Sequence, residues 1–196
     1  FAIASALADS DKKDLGCHTG TISDAYRKLY LAGKLTNARK EFDTGLSSFN
    51  LAMGSAAFYD WLRENPKLFR PDSIDYIHDP ARIGKLSRVI SINGGVQVDL
   101  MGQENAESAN GMQLSGIGGQ MDFLEGAFRS EGGCGYICIN SSRLTKDGVR
   151  KSNILPFIPG GSTVSAPRTL IEAVATEYGI AHLAGKSLAE RREAMI

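Results

Sequence analysis

The chain has 196 residues, of which 42% are hydrophobic and 22% charged, so its composition is that of an ordinary globular domain. Its 22 basic and 22 acidic side chains give a formal net charge of +0, which argues against a broad nucleic-acid-binding face. No apolar run approaches the roughly 18–20 residues that a membrane span needs. The length predicts about one domain, and neither nucleic acid nor a membrane is expected as a partner.

The cysteines and histidines form no metal-binding pattern. Cys17, Cys134 and Cys138 cannot all pair with one another, and their spacing fits no metal motif. His78 and His182 are far apart in sequence. We therefore expect a reducing, cytoplasmic compartment and no metal site.

Both ends of the sequence have the character of helix interiors. The opening FAIASALA is apolar, and the closing EAMI lies partway through an amphipathic helix. Neither end has the charged region and cleavage site of a signal peptide. The expectation is that residues 1–196 are one domain of a longer chain, which lacks here a preceding half and the extreme C-terminus.

The first third of the chain is predicted to contain two helices. Residues 22–33 place apolar side chains at helical intervals and end at Gly33, a common C-terminal stop. A second helix is predicted to start at a Ser55 cap and to end before the Asn-Pro pair at 65–66. Residues 65–86 contain three prolines, which favours a surface connection.

From residue 88 onward the apolar period becomes that of strands. Residues 88–93 and 96–103 alternate on either side of Gly94-Gly95, which predicts two strands joined by a tight turn or bulge. The other predicted elements are a helix within 115–128, strands at 136–140 and around 153–158, turns at 147–148 and 159–161, and a final helix with a capping box from Ser187. Interspersed helices and strands predict an α/β fold, and the hairpin-like spacing favours an open mixed sheet with flanking helices.

Glycine is clustered, and the densest cluster is SGIGGQMDF, residues 115–123. Such a segment can point successive backbone N–H groups at an anion, at the N-terminus of the helix that follows. It has neither the Gly-Lys-Ser/Thr of a Walker loop nor a dinucleotide fingerprint. The alternative is a tight strand-to-helix turn that binds nothing.

Three further features are weaker candidates. Asn93 follows a strand and precedes two glycines, so its amide can donate to an oxyanion, although capping its own backbone is the commoner use. Cys17-His18 is a poor nucleophile–base pair, because sequence neighbours rarely face each other and nothing marks a low thiol pKa. The segment KLTNARK, residues 34–40, suits phosphates, but a solvated helix face is the simpler interpretation.

Seven ordered segments resemble the C-terminal half of class I coenzyme A transferases of the 4-hydroxybutyrate and acetyl-CoA hydrolase/transferase type. The most specific are SGIGGQMDF (115–123) and the TEYG segment within ATEYGIAHLAGKSLAERR (175–192). The others are DLGCHTGTISD (14–24), KLTNARK (34–40), NLAMGSAAFYDWL (50–62), ISINGGVQVDLMGQENAES (90–108) and SNILPFIPGGSTVSAPR (152–168). The resemblance therefore covers nearly the whole chain.

The resemblance implies the NagB/RpiA-like α/β fold of that C-terminal domain, which works together with an N-terminal half. It implies a CoA-transferase of carboxylic acid metabolism, with acyl-CoA and small carboxylates as substrates and no tightly bound cofactor. In the family, a glutamate attacks the thioester and forms acyl-glutamyl and then glutamyl-CoA intermediates. A homo-oligomer is the usual expectation for a soluble enzyme.

The resemblance also assigns site residues. Gly116, Gly118, Gly119 and Gln120 are expected to line the CoA and thioester site. A backbone N–H of Gly118 or Gly119 is expected to steady the oxyanion together with the amide of Asn93.

One position departs from the family pattern. The nucleophilic glutamate of the family lies in an HTE motif, and this chain has His18-Thr19-Gly20 there. Gly20 has no carboxylate, so it cannot form the anhydride. Glu104, where relatives usually have an aliphatic residue, is either a partial replacement or a surface glutamate at a strand end. The alternatives to a transferase are a catalytically silent acyl-CoA-binding relative and an acyl-CoA hydrolase.

Overall fold

The computed structural model describes residues 2–196 and divides into two compact units, the first ending at Ser87 and the second beginning at Arg88. Each unit has buried apolar clusters of its own. Across residues 2–196, no helix is long and apolar enough to cross a membrane. The fold is mixed α/β, as the sequence predicts.

The first unit is built on a parallel sheet with the strand order β1-β2-β3. Parallel neighbours need crossover connections, and α2 and α3 lie in those connections. The strands are β1 His18–Ile22, β2 Ser47–Ala52 and β3 Phe69–Pro71, and the helices are α1 Ala2–Ala8, α2 Asp24–Leu31, α3 Ala56–Glu64, α4 Ile74–Ile77 and α5 Pro80–Ile83, with a 3-10 turn at Pro66–Leu68.

An aromatic cluster fixes the positions of β1 and β2. Helix α3 buries Phe58 and Trp61 in one cluster with Ile22 of β1, Phe49 of β2 and Phe69 of β3. Burial of side chains of this size contributes roughly 1.5–3 kcal/mol each. The two strands that face the candidate site of this unit are therefore held by a packed core.

The second unit has a four-stranded sheet with the order β14-β13-β9-β4, in which only β14 runs antiparallel to its neighbour. A second sheet has the order β12-β5-β6, and β7-β8 and β10-β11 are two-stranded. The strands are β4 Ile90–Gly94, β5 Gln97–Asp99, β6 Glu104–Asn105, β7 Ser108–Ala109, β8 Met112–Gln113, β9 Cys134–Cys138, β10 Ser142–Leu144, β11 Arg150–Ser152, β12 Ile154–Leu155, β13 Ala173–Thr176 and β14 Gly179–His182, and the helices are α6 Gln120–Arg129 and α7 Leu188–Met195.

Two predicted helix starts are confirmed by their caps. Ser55 Oγ accepts a hydrogen bond from the backbone N–H of Phe58 at 3.2 Å. Ser187 and Glu190 form the reciprocal capping box at the start of α7. Both caps depend on residues three positions apart, so the local sequence is enough to predict them.

Two predictions are wrong. Residues 65–86 are more than a connection, because they contain β3, α4 and α5; two of the prolines lie in first helical turns, where the missing N–H costs nothing. The strands predicted at 88–93 and 96–103 are present as β4 and β5, but they form no hairpin, because β4 pairs in parallel with β9 while β5 pairs with β6 and β12. Alternation identifies a strand but not its partner.

Candidate functional site

Gly20 lies in β1 beside Asn50 of β2, between the paired residues Thr19↔Phe49 and Thr21↔Leu51. A Cβ at position 20 would lie 3.1 Å from Nε2 of His78 and 3.6 Å from Oδ1 of Asn50. His78 Nε2 and Asn50 Oδ1 are 3.2 Å apart. A side chain at position 20 would therefore project toward an imidazole and an amide.

The neighbouring Cys17 and His18 are both held uncharged at neutral pH. Burial raises the pKa of the Cys17 thiol to about 11. Burial is also the main cause that lowers the pKa of His18 to about 4, although its Nε2 lies 2.8 Å from the carbonyl oxygen of Ile77. An uncharged thiol is a poor nucleophile, which agrees with the prediction from sequence that Cys17 and His18 are a poor nucleophile–base pair.

Lys40, the last residue of the KLTNARK segment, is buried and structural. Its ammonium donates to the Cys17 carbonyl oxygen at 3.0 Å and to Ser48 Oγ at 2.9 Å. Ser48 in turn donates to the carboxylate of Asp43 at 2.7 Å. The lysine therefore links the loop after α2 to β2 and to the residue that precedes β1. The simpler interpretation from sequence, a solvated helix face, does not describe it.

The glycine segment leads directly into α6. Gly116 and Gly118 are exposed, Gly118 has a left-handed φ of 60°, and Gly119 is the N-cap of the helix. The first N–H groups of a helix have no intrahelical carbonyl partner and are suited to an anion or a polarised carbonyl. The chain thus has the strand-to-helix turn that the sequence predicts, with exposed glycines at its bend.

Gln120, the first residue of α6, faces the interior of the second unit. Its Nε2 donates to Oε2 of Glu104 at 2.9 Å, and both residues are buried. Glu104 Oε1 is buried with no hydrogen-bond partner within residues 2–196. A nucleophile has to touch the thioester carbon, and Glu104 is 0% exposed, which argues against it as the replacement nucleophile and against a surface position.

Asn93 lies near the carboxyl end of β4, opposite Ile137 of β9, and is half-buried. Its side-chain nitrogen donates to Ser91 Oγ at 2.9 Å, which uses one of its two amide hydrogens. This hydrogen bond goes to a side chain and is not the backbone cap that the commoner interpretation expects. The side-chain NH2 of Asn93 has a second hydrogen that can be donated to another acceptor.

Among the residues that the structure describes, no group of three or more His, Cys, Asp and Glu side chains is placed to hold a metal ion. A family model for the acetyl-CoA hydrolase/transferase C-terminal domain matches residues 54–196, which is more than half of the chain. The chain belongs to the acetyl-CoA hydrolase/transferase family. The resemblance drawn from the seven segments is confirmed.

Three similar proteins place the chain within this family. The butyryl-CoA:acetate CoA-transferase of Anaerostipes caccae is 42% identical over 195 residues, which cover 100% of this chain and 44% of that protein. The 4-hydroxybutyrate coenzyme A transferase of Clostridium kluyveri is 41% identical over 186 residues, covering 95% and 42%. The crystal structure of RipA from Yersinia pestis superposes with a TM-score of 0.87 at 37% identity, covering 99% and 42%. The chain thus spans less than half the length of each.

The sequence of this acetyl-CoA hydrolase/transferase chain does not indicate two residues that lie beside Gly20. His78 and Asn50 are 28 positions apart, and they meet only because β2 pairs beside β1 and α4 ends at His78. No local spacing signals such a contact. A register prediction for β1 and β2 could have found Asn50, because it would place Asn50 beside Gly20.

Proposed function

We propose that the chain is the C-terminal half of an acyl-CoA:carboxylate CoA-transferase. The observation that supports this is the 42% identity over 195 residues to a butyryl-CoA:acetate CoA-transferase. Acyl-CoA and small carboxylates are then the substrates, and the partner is the N-terminal half that accounts for the greater length of the relatives. The three free cysteines support a reducing, cytoplasmic location, and a homo-oligomer is the usual assembly.

The proposed roles divide between the two units. In the second unit, Gly116, Gly118 and Gly119 form the turn over which the CoA thioester lies. The exposed backbone of Gly116 and Gly118 and the position of Gly119 as the N-cap of α6 support this role. The second amide hydrogen of Asn93 donates to the thioester oxygen, while Gln120 holds the helix start through Glu104.

In the first unit, Gly20 occupies the place of the nucleophile. Its position in the HTG stretch and its half-exposed backbone beside His78 and Asn50 support this assignment. Acyl-glutamyl and glutamyl-CoA intermediates cannot form on glycine. Gly20 therefore favours the alternative of a catalytically silent acyl-CoA-binding relative, and an acyl-CoA hydrolase is the second alternative.

The test is CoA exchange by the full-length protein between short acyl-CoAs and free carboxylates, with acyl-CoA binding measured in parallel. The variant Gly20→Glu is expected to raise exchange by at least about 100-fold, because an attached carboxylate acts at a high effective molarity. The small displacement of His78 that a Cβ at 3.1 Å requires is available to a side chain.

The matched control is Gly160→Glu, which adds the same carboxylate where a Cβ meets nothing within 4 Å. It is expected to leave exchange at the parent level. If the parent binds acyl-CoA without exchange, and Gly20→Glu restores exchange, the parent is a catalytically silent relative. Neither binding nor exchange in any of the three proteins would contradict the proposed function.

A further inference from the structure

The glycine turn, residues 116–119, has little in its own sequence to fix its course. Gly116 and Gly118 are exposed, and Gly118 has a left-handed φ of 60°. Glycine loses more conformational freedom on ordering than any other residue, so a turn built on it has to be held by groups outside it. A turn that is ordered in advance also binds a ligand more tightly, because less entropy is lost on binding.

The C-terminal end of the glycine turn is held by Glu104. Gln120 follows Gly119 directly, and its Nε2 donates to Glu104 Oε2 at 2.9 Å between two buried side chains. The backbone of Glu104 is itself fixed by a neighbouring segment. Its N–H donates to the carbonyl oxygen of Ala166 at 3.0 Å, and its carbonyl oxygen accepts from the N–H of Ser165 at 2.8 Å.

The N-terminal end of the glycine turn is held by Glu107, which is also buried. The carbonyl oxygen of Glu107 accepts from the N–H of Ser115, the residue before Gly116, at 3.3 Å. Its carboxyl Oε1 accepts at 3.2 Å from Nε2 of Gln113, which also donates to the carbonyl oxygen of Ser115 at 2.6 Å. The other carboxyl oxygen accepts from Ser165 Oγ at 2.6 Å, so the segment that fixes Glu104 also fixes Glu107.

Both carboxyls have uncharged partners in these hydrogen bonds. Burying an acid without a basic partner costs stability, so a role outside the core is the simpler explanation for two of them. A carboxyl offers two acceptor oxygens, which lets one short segment of chain hold several donors. Glu104 and Glu107 are three positions apart, so β6 and the turn after it hold both ends of the glycine turn.

We propose that Glu104 and Glu107 are positioning residues of the acyl-CoA site, which hold the two ends of the glycine turn in the conformation that binds the thioester. Both are buried and act through other residues, Glu104 through Gln120 and Glu107 through Ser115. This inference rests on the proposed CoA-transferase function, in which acyl-CoA lies over the turn. Loss of either carboxyl is then felt as weaker binding of acyl-CoA.

The test is the binding of butyryl-CoA to the full-length protein, measured by titration calorimetry. Glu104→Ala and Glu107→Ala are each expected to raise the dissociation constant about tenfold, because a loosened turn has to be ordered on binding. Glu104→Gln and Glu107→Gln keep an acceptor oxygen and are expected to restore most of the affinity. Amide exchange of a peptide that spans residues 115–120 is expected to speed up in the alanine variants and far less in the glutamine variants.

Two further variants test the links themselves. Gln113 is exposed, so Gln113→Ala breaks the link from Glu107 to Ser115 without opening a buried cavity, and it is expected to weaken binding in the same direction. Glu104 and Gln120 share one hydrogen bond, so the double variant Glu104→Ala with Gln120→Ala is expected to bind no more weakly than the weaker single variant. Additive losses would contradict the action of Glu104 through Gln120.

Ile171→Ala is the matched control for a loss of stability alone. Ile171 is buried in the apolar cluster of the same unit, and its truncation leaves a cavity away from the glycine turn. It is expected to lower the Tm while leaving the dissociation constant for butyryl-CoA unchanged in the folded protein. If the glutamates had only a structural role, their alanine variants would behave in the same way.

The inference and the proposed function fail on different results. Affinity at the parent level in Glu104→Ala or in Glu107→Ala would overturn the inference and leave the proposed function intact. An equal loss of affinity in Ile171→Ala would do the same, because it would show that any weakening of this unit impairs binding. A parent protein that neither binds butyryl-CoA nor exchanges CoA would overturn both together.

Discussion

Glu104 is an acidic side chain placed in an interior that disfavours its charged form. It is fully buried, accepts one hydrogen bond from Gln120, and keeps Oε1 unpartnered among the described residues. Burial raises the pKa of Glu104 to about 7; the Gln120 hydrogen bond lowers it and the nearby Glu107 raises it further. A protonated carboxyl is the form that this interior favours, because burying a charge is costly.

The raised pKa makes stability depend on pH. The unfolded chain releases the Glu104 proton near its usual pKa of 4.5, while the folded chain keeps it up to about pH 7. Between those values the folded state binds more protons, so the stability that Glu104 contributes is complete at low pH and is lost as the pH rises to 7. Glu104→Gln cannot ionise and is expected to exceed the parent by roughly 1–3 kcal/mol at pH 8.

The measurement is urea unfolding of parent and Glu104→Gln at pH 5 and at pH 8. The gap between them should open as the pH rises. Glu131→Gln, at an exposed glutamate of the same unit, is the control and should follow the parent at both values. A gap of the same size at both pH values would show that Glu104 does not titrate as described.

Gly95 gives a second residue-level prediction, because its missing Cβ makes room for the same carboxyl. A Cβ there would lie 2.7 Å from Glu104 Oε1 and 3.0 Å from Ile139 Cγ2. Gly95→Ala is therefore expected to destabilise the protein by roughly 1–3 kcal/mol through overpacking. Gly94→Ala, where a Cβ meets nothing within 4 Å, is expected to stay within about 0.5 kcal/mol of the parent.

Thermal or urea unfolding of these two alanine variants checks the close approach at Gly95. If Gly95→Ala were as stable as Gly94→Ala, the packing of Glu104 beneath this glycine would be refuted. The pair shares residue type, neighbouring position and substitution. Their difference therefore reports the close contacts at position 95, with the buried carboxyl of Glu104 and with the neighbouring isoleucine side chains.

At the scale of elements, the sequence predicts what depends on neighbouring residues. The caps at Ser55 and Ser187 and the start of α6 after the glycine segment follow from spacing of three or four residues. Strands β1 and β2 were not predicted, because HTGTI and SSFNLA lack a regular apolar alternation. The apolar side chains that pack against these strands come from α3 and β3. Those residues lie elsewhere in the chain, so the strand sequences alone do not reveal them.

The same limit applies to the candidate site. The glycine turn and Asn93 were found from sequence because each is a local pattern, and their roles stay predictions. The sequence shows His78 only as a histidine outside any metal-binding pattern, and it gives no reason to single out Asn50. Their meeting at Gly20 depends on the parallel pairing of β1 with β2 and on the end of α4, which are tertiary events.

At the scale of the whole molecule, the buried apolar clusters divide as the two units do. Phe58 belongs to a cluster of the first unit, and Leu124 to a cluster of the second. Both side chains are 0% exposed. Replacing either with alanine is expected to cost about 2–5 kcal/mol, because the neighbours fill the cavity only in part.

The division of the core into separate clusters predicts which strands each substitution destabilises. Leu124→Ala is expected to speed amide hydrogen exchange in β9 and β13 far more than in β1 and β2, because local opening follows the cluster that was weakened. Phe58→Ala is the reciprocal variant and is expected to show the opposite pattern, with β1 and β2 the faster strands. Mass spectrometry of exchanged peptides from both proteins gives the comparison directly. Equal acceleration in all four strands by either variant would mean that the two cores unfold as one cooperative body, against the independence that their separate clusters imply.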